Sequence, residues 1–192
     1  MILTMWKILC VALVLGVFLW SPALSYGQGE KKLEILSVGF RGGLNLDPGG
    51  IPPGEKEDFQ IFEAFTILGF PGAWEWPSGW EARYTWRFTA GLLRGAGDEG
   101  FIGTTGPALS FTNWNWRVTF DIGTGAAFVS DETFGRQDFG GPVQIIGHGG
   151  LSYHFHAPIT LGWRFHHFSD AAIYGTDNRG VDFHMFELSY RF

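Results

Sequence analysis

Three residues near the carboxyl end of the sequence have the side chains that nucleophilic acyl transfer needs. His167 and Ser169 stand two positions apart, and Asp182 follows after a polar stretch. In such chemistry the carboxylate fixes the tautomer of the imidazole, and the imidazole then accepts the proton of the serine hydroxyl. The three residue types therefore predict a serine nucleophile, a histidine base and an orienting acid, provided that the fold brings them to one surface.

Two antiparallel strands joined by a polar loop would bring these residues together. Side chains two positions apart in a strand point to the same face, so His167 and Ser169 share a face, and Asp182 returns to it from the next strand. The apolar residues of the same parity are Leu161, Trp163, Phe165, Phe186, Leu188, Tyr190 and Phe192. His166 has the opposite parity and is an alternative base only if a bulge shifts the register. Polar groups that face lipid are costly, which favours a functional role over a mere position at headgroup level.

The rest of the chain alternates in the same way. From Lys31 onward, eight segments of period two are separated by breaks rich in Gly, Pro and Asp. The third segment sets Trp80, Ala82, Tyr84, Trp86, Phe88, Ala90 and Leu92 on one parity against Glu81, Arg83, Thr85, Arg87 and Thr89 on the other. Such a strand needs apolar surroundings on one side and a polar interior on the other. The pattern predicts an all-β fold, an eight-stranded antiparallel transmembrane β-barrel.

A soluble eight-stranded lipid-binding barrel is the alternative fold, with the aromatic residues inside and the charges outside. The final segment favours the membrane barrel, because it is similar to the terminal strand of outer-membrane barrels. Those strands end in an aromatic residue, here Phe192, that the barrel assembly machinery recognises. The composition agrees, since 17% of the residues are aromatic and 29 are glycine, which suits a barrel with aromatic girdles.

The barrel pattern also predicts the contents of the interior and the positions of the loops. The interior is expected to hold Glu81, Arg83, Arg87, Arg117, Asp121, Arg164 and the histidines. Outer loops are expected at residues 42–58, 94–103, 131–141 and 171–180, the third as a polar loop. The segment 59–70 is apolar on both parities, so its facing stays open. The tryptophan-rich turn at 71–79 is longer than an inner turn of such a barrel should be.

The first 25 residues have the pattern of a secretory signal peptide. Lys7 precedes the apolar run 8–20, and Ala23-Leu24-Ser25 is a small-residue cleavage site. The run is short for a membrane span, so an uncleaved anchor is the weaker alternative. Cys10, the single cysteine, lies inside this signal, which leaves the single barrel domain, 26–192, without cysteine chemistry. Acidic residues number 19 against 13 basic ones, which argues against a nucleic-acid partner.

Two runs in the last two segments resemble the lipid A 3-O-deacylase family (PagL-like acyloxyacyl hydrolases). They are His167-Phe168-Ser169-Asp170-Ala171 and Asn178-Arg179-Gly180-Val181-Asp182, and the resemblance covers residues 160–192. It implies that His167 is the base and Ser169 the nucleophile. The family's acid, usually Glu, falls on Asp182.

The same resemblance assigns four supporting residues. The family's Asn of the oxyanion hole falls on Asp170, and a nearby small residue falls on Ala172. An ionised Asp170 would repel a developing oxyanion, so protonation or a backbone N–H near Ala172 would have to compensate. Asn178 and Gly180 match a loop whose expected role is structural.

The resemblance implies an outer-membrane esterase that hydrolyses the ester-linked acyl chain at the 3 position of lipid A in lipopolysaccharide. No cofactor is implied, although His148, His154 and His156 share one face and could bind a metal as an alternative to interior hydrogen bonding. The other functional hypotheses are a non-catalytic structural or adhesive barrel with a decayed site, and a related phospholipase or acyltransferase. The sequence leaves a homodimer open.

Overall fold

A computed structural model describes residues 33–45, 57–156, 158–175 and 180–192 of the 192-residue chain. The predicted signal peptide, Cys10, most of the predicted 42–58 loop and Asn178 lie outside the described residues. Within the described residues, no helix is long and apolar enough to cross a membrane.

Eight long strands build the fold. They are β1 (Glu34–Asn45), β2 (Phe59–Gly69), β4 (Trp80–Gly95), β5 (Asp98–Asn113), β6 (Val118–Val129), β9 (Val143–His154), β10 (Ile159–Ser169) and β11 (Gly180–Arg191). Three two-residue strands, β3 (Trp74–Glu75), β7 (Thr133–Phe134) and β8 (Gln137–Asp138), lie in the connections.

The long strands close into a barrel. β1 pairs with both β11 and β2, β2 pairs with β4, and every pairing is antiparallel. Each of the eight strands therefore has a neighbour on both sides, and no open sheet edge is left among them. The prediction of an eight-stranded antiparallel barrel is confirmed.

The barrel wall exposes an apolar surface outside, as the alternation predicts. In β11, Phe186 is 74% exposed, whereas the intervening Met185 and Glu187 are buried. The third predicted segment, now β4, exposes Phe88 and Leu92 and buries Arg87 in the same way. An exterior of exposed aromatic and aliphatic side chains suits a hydrocarbon environment rather than water.

The two ends of the barrel differ. We call the upper end the one where β4 turns into β5, β6 connects to β9, and β10 connects to β11. The first and last described residues, Leu33 and Phe192, lie at the other, lower end. The turn between β4 and β5 consists of Ala96 and Gly97, both with positive φ, as two-residue hairpins require. The prediction of a loop at 94–103 is therefore wrong, because β4 and β5 occupy most of these residues.

An ion-pair network fills the middle of the interior. Arg164 is fully buried, and its Nε lies 2.7 Å from Glu187 Oε1 while its Nη2 lies 2.9 Å from Asp121 Oδ2. Arg87 also forms an ion pair with Asp121, with Nη2 3.1 Å from Oδ2. A second pair, Arg41 Nε to Glu63 Oε2 at 2.6 Å, adjoins it and was not predicted.

Arg117 does not lie in this network, which corrects the expected interior. It lies in the lower turn between β5 and β6 with a φ of 58°, and its guanidinium contacts His156. Glu81 and Arg83 are only partly buried. They form an ion pair near the lower end of the barrel, with Arg83 Nε 3.1 Å from Glu81 Oε1.

The upper part of the interior is apolar. Phe59 packs against Phe134 and Phe139 with ring centroids 5.6 and 5.8 Å away, and all three rings are buried. Phe134 and Phe139 belong to the hairpin of β7 and β8, which folds inward over the barrel. The expectation that 131–141 is simply a polar loop is therefore wrong, since its two phenylalanines plug the barrel.

The long tryptophan-rich turn at the lower end also has a structural explanation. β3 pairs with the start of β4, Trp74 opposite Ala82, and the Trp74 ring packs edge-on against Tyr84 at 5.4 Å. The turn thus extends the barrel wall rather than forming a free loop.

Candidate active site

The upper end of β10 carries two of the three predicted site residues on the outer surface. His166 and Phe168 point inward and are almost completely buried, whereas His167 and Ser169 alternate with them and are partly exposed. His166 stacks on His148 inside the barrel, with ring centroids 5.2 Å apart. Its Nε2 lies 3.3 Å from Arg41 Nη1. The alternative base is therefore separated from Ser169 by the barrel wall.

Asp182 lies directly across from His167 on β11. The two residues are register partners, and His167 Nδ1 is 2.6 Å from Asp182 Oδ1. Since an ionised carboxylate can only accept, Nδ1 carries the hydrogen, and Nε2 is left with the lone pair that a general base needs. The carboxylate is 3% exposed and the imidazole 22%, so the acid is shielded while the base is accessible.

Ser169 is the last residue of β10, and its side chain is held by the turn that follows. The Ala171 N–H donates a hydrogen bond to Ser169 Oγ over 3.1 Å. Ala171 and Ala172 have φ values of 49° and 60°, in the left-handed region that alanine rarely adopts. Two consecutive strained alanines next to a serine indicate a backbone shape that the surrounding contacts impose.

Asp170 supplies two of those contacts. Its Oδ1 accepts the Ala172 N–H at 3.0 Å, and its carbonyl accepts the Ile173 N–H at 2.8 Å. The side chain is fully buried, and Oδ2 has no hydrogen-bond partner among the described residues. The structure therefore places Asp170 beneath the turn, where it shapes the backbone, and not on the surface beside Ser169.

The remaining predicted site residues lie in or near this turn. Ala172 is partly exposed, with its N–H committed to Asp170. Gly180 is the first residue of β11 and the register partner of Ser169. The predicted Asn178 lies outside the described residues.

Three residues near the site were not found from the sequence. Ala171 stands in the run that resembles the family but was assigned no role, because alanine gives no hint of a left-handed backbone. His184, on the outer face of β11, packs against Trp163 and Phe165 with centroids 5.6 and 5.3 Å away. The Tyr174 hydroxyl connects the turn to β9 by accepting a hydrogen bond from the Val143 N–H at 3.2 Å.

The outer surface beside His167 is open. Gly147 of β9 is the register partner of His167 on the other side, and a Cβ added there would meet nothing within 4 Å. A flexible apolar chain lying along the barrel could therefore approach the imidazole from this side. Acyl transfer to or from a molecule embedded in the surrounding hydrocarbon is the chemistry that this arrangement allows.

The histidines considered as metal ligands are placed apart. His148 stacks on His166, His154 lies within hydrogen-bond distance of Thr119 and Thr160, and His156 contacts Arg117. Across the described part of the chain, no group of three or more His, Cys, Asp or Glu side chains is arranged to hold a metal ion.

Comparisons with known proteins give one family match and two similar solved structures. The family model for lipid A 3-O-deacylase (PagL) matches residues 63–191. Among solved structures, the crystal structure of the outer membrane enzyme PagL is similar, with a TM-score of 0.66 and 16% identity over 81% of this chain and 99% of that one. The Yersinia pestis outer membrane protein Ail has a TM-score of only 0.46, with 13% identity over 82% of this chain and 99% of that one. No curated protein matches the sequence significantly.

Proposed function

This chain belongs to the lipid A 3-O-deacylase (PagL) family, and we propose that it hydrolyses the ester that links an acyl chain to the 3 position of lipid A. The observation that carries the proposal is the His167–Asp182 pair on the outside of the barrel, with Ser169 on the same face. The arrangement supplies the nucleophile, base and acid that ester hydrolysis needs.

The reaction would proceed in two steps. His167 Nε2 takes the proton from Ser169 Oγ while Oγ attacks the ester carbonyl, and the tetrahedral adduct then collapses. The bond to the sugar oxygen breaks, that oxygen receives the proton from His167, and the acyl chain remains on Ser169. His167 next activates a water molecule, which attacks the acyl-serine, so that a free fatty acid leaves and the serine is restored.

The position of the site fits a substrate held in a bilayer. The protein is an outer-membrane barrel, and its exterior is apolar around Trp163 and Phe165. A lipid would reach Ser169 by diffusing sideways along the barrel, and its polar head would lie near the upper end. We propose that this upper end faces the outside of the cell.

Three earlier expectations stay predictions. They are the division into a signal peptide, 1–25, and one barrel domain, 26–192; recognition by the barrel assembly machinery; and the homodimer.

The test is the mass spectrum of lipid A from cells that express the wild type or Ser169→Ala. We expect the wild type to remove one hydroxyacyl mass from lipid A and the variant to leave lipid A intact, because the alanine cannot form the acyl intermediate. Ser130→Ala is the matched control, since Ser130 also lies at the upper end but bonds to Asp131 away from the site. Folding of each barrel is checked by its altered mobility on unheated gels.

The other outcomes separate the alternative functions. Unchanged lipid A in cells with folded wild type would favour the non-catalytic barrel. Release of fatty acid from phospholipid instead would favour a phospholipase, again provided that the reaction depends on Ser169.

A charge-removing substitution at Asp170 is expected to leave kcat close to that of wild type. The Asp170 side chain is buried below the turn, and it supports the turn through Oδ1. Asn keeps Oδ1, so the bond from the Ala172 N–H survives. Initial rates of purified Asp170→Asn and wild type in lipid A micelles measure the effect, with exposed Asp98→Asn as control. A lower kcat in a folded Asp170→Asn barrel would show instead that the carboxylate is needed.

A further inference from the structure

The developing oxyanion of the proposed reaction needs hydrogen-bond donors close to Ser169 Oγ. Two groups were expected to provide them, the side chain of residue 170 and the backbone near Ala172. In the structure, the Asp170 side chain is buried below the turn and accepts the Ala172 N–H at 3.0 Å. Both expected groups therefore bond to each other instead of pointing at the nucleophile.

A different donor lies next to the nucleophile. The Ala171 N–H is 3.1 Å from Ser169 Oγ, and Ala171 itself is exposed. When Oγ bonds to the ester carbon, the former carbonyl oxygen becomes a neighbour of Oγ, attached to the same carbon. A donor that points at Oγ before the attack is thus within reach of the oxyanion after it.

The turn fixes this donor in place before any substrate arrives. Ala171 and Ala172 are both in the left-handed region, and Asp170 holds the turn by accepting the N–H groups of Ala172 and Ile173. A strained backbone held by buried contacts next to a nucleophile is a known way to preorganise a donor.

We propose that the Ala171 backbone N–H is the oxyanion donor of this enzyme, and that Asp170 is the positioning residue that holds it there. The inference rests on the proposed function and adds the group that stabilises its tetrahedral intermediate. It assigns the buried Asp170 carboxylate a structural role toward the turn instead of a direct role toward the substrate.

The test removes the single N–H and little else. In the full-length protein, Ala171 is replaced by lactic acid, the α-hydroxy analogue of alanine, so that the backbone amide becomes an ester. We expect kcat for lipid A deacylation to fall about 100-fold, with KM little changed, since loss of one oxyanion donor costs about 10²–10³ in kcat.

Ala96 offers a matched control for the chemical change. It is also an exposed alanine in a turn at the upper end, with a φ of 52°, but it lies in the connection between β4 and β5. The same lactic-acid replacement at Ala96 is expected to leave kcat unchanged. A folded Ala171 ester variant that keeps full kcat, or that changes only KM, would overturn the inference while the proposed function stands. A folded wild type without deacylase activity would overturn both.

Discussion

An Asp182→Asn variant is expected to keep its barrel and to lose about 10⁴-fold in kcat, the size of effect known for loss of the orienting carboxylate of a serine triad. Asp182 Oδ1 accepts the hydrogen of His167 Nδ1 at 2.6 Å, which leaves Nε2 unprotonated and able to act as the base. An asparagine can present its amide N–H to Nδ1, so the ring would adopt the other tautomer with the hydrogen on Nε2. The carboxylate that stabilises the imidazolium during proton transfer is lost as well.

The measurement is kcat of purified barrels on lipid A in mixed micelles, with folding checked by circular dichroism. Asp182→Glu is the conservative partner, because it keeps the charge and adds one methylene; we expect it to retain activity within about tenfold of wild type. Asp98→Asn, an exposed carboxylate at the same end, is the control for removal of a charge. If Asp182→Asn kept more than about one tenth of the wild-type kcat, the carboxylate would not be orienting the base.

The faces of β10 and β11 could be predicted because alternation is the simplest property of a strand. From Leu161 to Ser169, odd-numbered residues of β10 lie on the outer face and even-numbered residues on the inner face. The pairing of β10 with β11 has no bulge. The pairing of His167 with Asp182 followed once the two strands were antiparallel and both ended at the same rim. The central geometry of the site therefore needed only period two and a hairpin.

The interior was harder to predict, because its polarity changes along the barrel axis. β2 begins among the phenylalanines of the upper plug, so Phe59 and Ile61 point inward as apolar residues, while Glu63 two positions on enters the ion-pair network. Such a strand looks apolar on both faces. The plug itself depends on Phe134 and Phe139, two apolar residues in a stretch that is otherwise polar.

A loop after Ser169 was predicted, but its backbone conformation could not be. A left-handed backbone is signalled in a sequence by glycine or asparagine, and here both positions are alanine. The buried contacts of Asp170 impose the conformation, and they exist only in the folded protein. The same reason explains why no role was predicted for Ala171, although its N–H lies 3.1 Å from Ser169 Oγ.

Replacing Arg164 by methionine is expected to destabilise the barrel by about 3–5 kcal/mol, the cost of leaving a buried partner charge uncompensated. Arg164 is fully buried and bonds to both Asp121 and Glu187, so methionine fills the volume but leaves two carboxylates without their main cation. Arg87 remains 3.1 Å from Asp121, which keeps the loss from being larger.

The free energy of unfolding in lipid vesicles, from reversible titration with denaturant, measures this loss. Arg94→Met is the control, since Arg94 pairs with Glu99 at an exposed site and should cost less than about 1 kcal/mol. Adding Glu187→Gln to Arg164→Met removes one of the stranded charges and should recover part of the loss. If Arg164→Met unfolded at the same denaturant concentration as wild type, the network would not be stabilising the barrel.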